Sequence, residues 1–222
     1  MTDIAELRSF FDDLDYKVVI AADGETRTHR RENGRIAEQT PAGGVSVAFD
    51  AICQAAGATY ITRGRSDEDR EVLDAEGKVV VRGDDGEYTL ERLFFSEEEI
   101  GGYYAGFSNQ TLWPLCHIAF ERPTFRRDWF ESYARVNASF AEAIQREIEG
   151  KTFVWVNDYQ LALVPGYLKR DADTVVGLFW HIPWPTWEMF RILPNKREVL
   201  ESLLTCDFIA FHRRYQVRNF LT

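Results

Sequence analysis

From residue 150 onward the chain alternates short apolar runs with amphipathic segments, and this alternation restricts the fold more than any other feature. The apolar runs predict strands over Thr152–Asn157, Thr174–His181 and Asp207–His212. The amphipathic segments predict helices over Tyr159–Lys169, Thr186–Ile192 and Lys196–Leu204, and from Arg214 onward. Strands that alternate with helices indicate βαβ units with right-handed crossovers. We therefore predict an α/β fold, a Rossmann-like parallel sheet with helices on both faces.

The N-terminal half carries shorter patterns of the same two kinds. Apolar runs predict strands over Lys17–Ala22, Ala58–Thr62 and Tyr88–Phe95. Helical patterns cover residues 3–14, residues 45–57, a segment that starts at Ser96, and Arg126–Ile148, which Gly150 ends. Two polar, glycine-containing stretches remain: Asp23–Thr40 is predicted to be a surface loop or hairpin, and Asp67–Gly86 a hairpin.

Length and composition exclude several classes of protein. The chain has 222 residues, of which 45% are hydrophobic, so it can build a substantial core. It lacks an apolar run of the ~20 residues that a membrane span needs, and its acidic N-terminus is unlike a signal peptide. A net charge of −10 argues against nucleic acid as the main partner. The three cysteines have no paired spacing, which predicts neither disulfides nor a zinc site. We predict a soluble, cytoplasmic protein.

Two polar residues follow buried strands of the predicted sheet. His181 ends the strand that begins at Thr174, and Pro183 and Pro185 then prevent any regular continuation. Asp158 follows the preceding strand. Ligands of open α/β sheets bind at the carboxyl ends of the strands. A lone histidine there is more often part of the core, and an aspartate there is often a helix N-cap. The further segments described below favour a binding site that Asp158 and His181 share.

Two further segments have compositions that suit a sugar and a phosphate. Gly43 and Gly44 stand between a loop and a helix, where backbone N–H groups can face a phosphate, although a glycine pair is more often an ordinary turn. Residues 102–117 are rich in tyrosine, phenylalanine and tryptophan around Asn109 and Gln110. Such rings suit the apolar face of a sugar, and plain core packing is the alternative.

Five ordered motifs resemble the trehalose-6-phosphate synthase family, the retaining glucosyltransferases of the two-domain GT-B fold. The matching segments are Tyr103–His117, the helix residues Tyr133, Val136, Asn137, Phe140 and Ala141, and then Trp155–Leu161, Gly177–Pro194 and Glu198–Leu221. The resemblance is nearly continuous from about Glu98 to the end of the chain. It implies that residues 1–222 form the N-terminal, acceptor-side domain of a GT-B enzyme, without the family's C-terminal nucleotide-binding domain.

The resemblance also implies a reaction. Glucose passes from a nucleotide sugar, usually UDP-glucose, to glucose 6-phosphate with retention of configuration, which gives trehalose 6-phosphate. It implies no metal and no cofactor beyond the nucleotide-sugar co-substrate. The expected partners are a sugar phosphate and a nucleotide sugar, with no nucleic acid and no membrane; a homo-oligomer stays open. The isolated fragment is expected to be inactive or nearly so, because YQVRNFLT ends inside a helical pattern and half the cleft is missing.

The resemblance assigns roles to six residues of this chain. Tyr104 and Trp113 match positions that hold the phosphorylated acceptor. Asp158 matches the carboxylate that orients sugar hydroxyls near the reaction centre, and His181 matches the histidine that reaches the donor glucose. These two are the predicted catalytic residues. Gly43 and Gly44 match glycines whose backbone lies against the donor phosphates.

Some positions depart from the family pattern. Asp23 stands about where the family has an arginine that grips the acceptor phosphate, and a carboxylate would repel a phosphate. Arg63 or Arg65 could replace that cation. Asn157 and Gln160 replace two family histidines. Three alternatives therefore stay open: another sugar phosphate or glycerol phosphate as acceptor, an unphosphorylated alcohol, or a non-catalytic regulatory relative.

Overall fold

The computed structural model describes residues 4–119 and 121–222. Its strands are β1 (Lys17–Ala21), β2 (Thr28–Glu32), β3 (Arg35–Gln39), β4 (Thr59–Arg63), β5 (Lys78–Gly83), β6 (Gly86–Leu93), β7 (Thr152–Asn157), β8 (Thr174–Trp180) and β9 (Phe208–Phe211). Its α-helices are α1 (Ile4–Leu14), α2 (Gly44–Ala56), α3 (Asp67–Glu71), α4 (Glu97–Ile100), α5 (Trp113–His117), α6 (Arg127–Glu147), α7 (Val164–Tyr167), α8 (Trp187–Phe190), α9 (Lys196–Leu203) and α10 (Arg214–Leu221). A π-helix covers Gly101–Leu112, and a 3-10 turn covers Tyr159–Leu161.

Seven of the strands form one sheet, in the order β5-β6-β4-β1-β7-β8-β9. All neighbouring pairs are parallel except β5 with β6. Strand β1 is central, and its Val19 lies opposite Thr59 on one side and Val154 on the other. Strands β2 and β3 form a separate antiparallel hairpin. The predicted parallel α/β sheet is confirmed.

Each face of the sheet carries its own core. Val19 and Ala21 of β1 point into a cluster that includes Phe140 of α6, whereas Val18 and Ile20 point into a second cluster that includes α2. This alternation is what a strand buried on both faces requires. Helices therefore cover both faces, as predicted. No helix in the described ranges is long and apolar enough to cross a membrane.

Several local predictions were wrong in detail. The helix predicted over Tyr159–Lys169 is the 3-10 turn followed by the short α7, which contains Pro165 and Gly166. Gly166 also lies so close to the next layer that its N–H donates to Ser202 Oγ at 2.9 Å. The hairpin predicted from Asp67 starts instead with α3, and its strands are β5 and β6. The first predicted helix begins at residue 3, which lies outside the described residues; α1 covers the rest of it.

The π-helix was not predicted, and two of its glycines explain how closely it packs on α6. A Cβ on Gly106 would lie 2.5 Å from the Trp129 ring, and one on Gly102 would lie 2.6 Å from Ser132. Real Cβ atoms do not approach other atoms so closely. The two helices can therefore pack at this distance only because side chains are missing there.

Gly106→Ala is expected to destabilise the protein by about 1–3 kcal/mol, because the added methyl group overpacks the contact with Trp129. Gly101→Ala in the same π-helix is the matched control, since no atom lies within 4 Å of its added Cβ. The control should be neutral or stabilising by up to about 1 kcal/mol. Urea unfolding measures both variants, and equal destabilisation would contradict the packing argument.

Candidate functional site

The carboxyl ends of four parallel strands meet at one edge of the sheet. Strands β4, β1, β7 and β8 are neighbours in that order, and each pair is parallel. Arg63 ends β4, Asp23 follows β1, and Asp158 and His181 follow β7 and β8. Because parallel strands end together, these polar side chains are brought to a common edge.

Asp158 connects the ends of β7 and β8. Its Oδ1 accepts hydrogen bonds from the backbone N–H of Tyr159 at 2.8 Å and of His181 at 3.0 Å. Its other oxygen, Oδ2, accepts no hydrogen bond from the described residues. Burial raises the pKa of Asp158 from 3.8 to about 6, although the two N–H donors act in the opposite direction. Asp158 is thus an anion at neutral pH with one oxygen available to a ligand.

Asp158 also has an unusual backbone conformation. Its φ is 75° and its ψ is 169°, a region that is essentially reserved for glycine and costs a non-glycine residue about 1–3 kcal/mol. The conformation is held by its side-chain bonds and by its own N–H, which donates to Phe179 O at 2.8 Å. Strain of this kind is concentrated at functional sites.

The imidazole of His181 is held in one orientation. Its Nε2–H donates to Asn157 Oδ1 at 2.8 Å, which requires the tautomer with the proton on Nε2, because an amide oxygen only accepts. The ring packs against Phe179 and His212, with centroids 4.4 Å and 5.2 Å away. Burial and then the neighbouring His212 lower the pKa of His181 to about 4. His181 is therefore neutral at pH 7 and suits hydrogen bonding to a hydroxyl.

Tyr104 contacts Arg63, whose guanidinium carbon lies 5.3 Å from the centroid of its ring, and it shares an electrostatic effect on Tyr159 with Asp158. The Tyr159 hydroxyl donates to Asn109 Oδ1 at 3.1 Å. Burial raises the pKa of Tyr159, and the charges of Asp158, Tyr104 and Asp23 add to the rise. These three groups therefore act electrostatically on the same hydroxyl group. Trp113 is 42% exposed in α5 and stacks on His117 at 4.0 Å.

Gly43 and Gly44 begin α2, which follows β1 in the chain through the β2–β3 hairpin. Gly43 has extended backbone, no side chain caps the helix, and both glycines are exposed. Among the described residues, no hydrogen bond or ring contact joins these glycines or Trp113 to Asp158 or His181. The structure thus joins Asp158 and His181 directly and places Tyr104 beside Arg63 at the same edge of the sheet. A common hollow for all six residues stays a prediction.

A buried charged cluster lies at the same edge, and the sequence interpretation missed it. Its members alternate in charge: Arg63, Asp23, Arg65, Glu25, Arg92, Asp69 and His29. The start of the predicted surface loop Asp23–Thr40 is therefore buried, because its charged side chains find partners on β4, β6 and α3. Only the hairpin β2–β3 of that loop was anticipated. The paired residues lie on segments that are distant in sequence, such as Asp23 and Arg63, so no local sequence pattern identifies the pairs.

Glu25 gives this cluster a pH dependence. Burial, and then the charge of Asp69, raise the pKa of Glu25 from 4.5 to about 7. The folded state therefore binds more protons than the unfolded state between these values, so this group makes stability fall as pH rises from about 4.5 to 7. Glu25→Gln removes this contribution. The stability of the variant relative to the unaltered protein should increase over that window in thermal unfolding, and a constant difference would contradict the assignment.

Comparison with known proteins places these features in a family context. Residues 15–222 match the model of glycosyltransferase family 20. A trehalose-6-phosphate synthase of Mycobacterium ulcerans (strain Agy99) is 35% identical over 212 residues, which are 95% of this chain and 41% of that protein. One of Mycobacterium sp. (strain KMS) is 42% identical over 139 residues, which are 62% of this chain and 28% of that protein. The chain thus spans about two fifths or less of the length of these relatives.

Solved structures show the same architecture. A trehalose-6-phosphate protein from E. coli, bound with UDP-2-fluoro glucose, superposes with a TM-score of 0.72 at 28% identity, covering 92% of this chain and 42% of that one. The α,α-trehalose-phosphate synthase (UDP-forming) from Burkholderia xenovorans, in complex with glucose-6-phosphate, gives 0.71 at 25% identity with the same coverage.

Proposed function

This chain belongs to glycosyltransferase family 20, the family of the trehalose-6-phosphate synthases, and we propose that it is the acceptor-side domain of a retaining glucosyltransferase. The proposed reaction transfers glucose from UDP-glucose to glucose 6-phosphate and yields trehalose 6-phosphate. The solved relatives that bind UDP-2-fluoro glucose and glucose-6-phosphate support both substrates. Retention of configuration, and a reaction without a metal, come from the family resemblance.

The observation that carries this proposal is the junction of Asp158 with His181. A negative carboxylate and a neutral imidazole meet at the ends of two parallel strands. The free Oδ2 of Asp158 can accept a hydrogen bond from a sugar hydroxyl, and the His181 ring can bond another. Glycosyl transfer depends on such positioning and on charge stabilisation more than on a strong protein nucleophile.

The remaining predicted residues have proposed roles around this junction. Tyr104 and Trp113 would hold the acceptor sugar, since one ring lies beside the charged edge and the other is partly exposed. Gly43 and Gly44 would face the donor phosphates, because the uncapped N-terminus of α2 offers free N–H groups.

The test is a transfer assay on the natural protein with UDP-glucose and glucose 6-phosphate. We expect UDP release that depends on the acceptor, and a product whose anomeric signals are those of an α,α linkage. A reaction without acceptor is the control for donor hydrolysis. The absence of UDP release across a panel of nucleotide sugars and acceptors would reject the proposal.

A second candidate is a non-catalytic regulatory relative, which Asp23 at the position of the family's arginine favours. Calorimetry separates the two candidates. Binding of glucose 6-phosphate without turnover supports the regulatory role, and turnover removes it.

A further inference from the structure

The acceptor end of the proposed site needs a cation if the acceptor carries a phosphate. Asp23 cannot supply it, and its neighbours include two arginines with different surroundings. We propose that Arg63, held in place by Asp23, is the residue that binds the acceptor's phosphate. This inference rests on the proposed function and adds the residues that select the acceptor.

The guanidinium of Arg63 is bound from one side only. Its Nε and Nη2 donate to Asp23 Oδ1 and Oδ2 at 3.0 Å and 3.1 Å. Such a two-point bond fixes the plane of the group. Its third nitrogen, Nη1, makes no hydrogen bond to the described residues. The carboxylate therefore orients Arg63 and leaves one donor nitrogen for a ligand.

The position of Arg63 connects it to the acceptor residues. Its guanidinium carbon lies 5.3 Å from the centroid of the Tyr104 ring, within cation–π range. The neighbouring Tyr103 hydroxyl is fully buried and has no hydrogen-bond partner in the described ranges. Burial, and then the charge of Asp23, raise the pKa of Tyr103. The polar groups around Asp23 are thus not fully paired by the protein itself.

Burial makes Arg63 a better phosphate ligand than a surface arginine. Its side chain is 7% exposed, so water and salt screen its charge little, and its orientation is already set. The cluster holds three arginines and three carboxylates, so their formal charges cancel only when every carboxylate is ionised. Because the pKa of Glu25 is about 7, this side chain is partly protonated at neutral pH.

Arg65 differs from Arg63 in its exposure, in its partners and in its distance from the acceptor residues. Its side chain is 42% exposed, and it is shared between Asp23 at 3.2 Å and Glu25 at 3.1 Å. In the part of the chain that the structure describes, no cation–π contact joins it to Tyr104. Arg65 is therefore a matched control for the same change of residue at the same edge.

The experiment compares glucose 6-phosphate with glucose as acceptors for the natural protein. The readout is the ratio of the two kcat/KM values, obtained from UDP release. The unaltered protein should favour glucose 6-phosphate by at least about tenfold, as a charge-assisted contact implies. Arg63→Gln should reduce this ratio by about tenfold to a hundredfold, mainly by raising the KM for glucose 6-phosphate. Arg65→Gln should change it by less than about threefold.

Two further variants distinguish a specific loss of phosphate binding from a general loss of the fold. Arg63→Lys keeps the positive charge and loses the forked geometry of the guanidinium group. Its ratio of kcat/KM for glucose 6-phosphate to kcat/KM for glucose should therefore lie between the ratios of the unaltered protein and of Arg63→Gln. Asp23→Asn weakens the two-point bond that orients Arg63, so it should raise the KM for glucose 6-phosphate by a larger factor than the KM for glucose, as expected of a positioning residue.

Three outcomes would overturn the inference. They are an equal loss with both acceptors in Arg63→Gln, an equal effect of Arg63→Gln and Arg65→Gln, and a preference of the unaltered protein for glucose. If UDP is still released in these cases, the proposed glucosyl transfer is retained and only the role of Arg63 is rejected. If no UDP is released, calorimetric titration of the same variants with glucose 6-phosphate still tests Arg63 directly.

Discussion

Replacing Asp158 with asparagine is expected to lower glucosyl transfer by about a thousandfold, the upper end of the loss seen when one stabilising group is removed from an active site. The amide oxygen can still accept the N–H groups of Tyr159 and His181, so the strand ends should keep their positions. The variant loses the negative charge and the free Oδ2 acceptor. UDP release measures the loss, and thermal unfolding shows whether the fold is retained.

The pH profile provides a second test of the same residue. Because burial raises the pKa of Asp158 to about 6, its anion is lost as the pH falls through that value. Activity of the unaltered protein should therefore decrease below about pH 6, and the residual activity of Asp158→Asn should not follow that decrease. Asp128→Asn, a change in an exposed ion pair with Arg126, is the control and should behave like the unaltered protein. A variant at position 158 that retains a tenth of the activity would contradict the proposed role.

The second large effect concerns stability and the buried charged cluster. Asp69→Ala is expected to lower the free energy of unfolding by about 3–5 kcal/mol, the usual cost of leaving a buried charge without its partner. The Asp69 carboxylate accepts the backbone N–H groups of His29 and Arg65, at 3.1 Å and 3.2 Å. It also pairs with Arg92, whose side chain is 0% exposed, at 3.2 Å.

The matched control for Asp69→Ala is Asp128→Ala. Asp128 pairs with Arg126 at 2.6 Å, but both side chains are more than half exposed, so water and salt screen the pair and its loss should destabilise the fold far less than Asp69→Ala. Urea unfolding of both variants gives the comparison. If the two substitutions cost the same, the cluster does not stabilise the fold through buried pairing.

The sheet could be predicted because its strands are continuous apolar runs. Strand β7 was predicted at the residues where it occurs, and β8 differs only by His181, which the structure leaves just beyond the strand. The long helix α6 was also anticipated within one residue at each end, from its amphipathic pattern. In these elements the local pattern and the tertiary environment agree.

The elements that were missed depend on contacts distant in sequence. The π-helix has no 3.6-residue periodicity to reveal it, and its close packing on α6 depends on Gly102 and Gly106. The burial of Asp23 depends on Arg63, which lies 40 residues further along the chain. A polar residue is predicted to be exposed unless its partner is known, and no local pattern identifies that partner.

The candidate site was predicted in part for the same reason. Asp158 and His181 could be placed together because they follow neighbouring strands. The hydrogen bond between His181 and Asn157 and the contact of His181 with His212 could not be predicted, because both depend on the orientation of the side chains. From the sequence, Asn157 is only a departure from the family pattern. In the structure it sets the tautomer of His181.

The left-handed backbone at position 158 has a consequence for protein engineering. Glycine adopts this conformation without penalty, so Asp158→Gly would relieve the backbone strain and at the same time leave the N–H groups of Tyr159 and His181 without their acceptor. The two effects oppose each other, so the stability of this variant does not report whether the proposed catalytic carboxylate is present. Directed evolution of this scaffold should therefore score turnover in every round as well as thermostability.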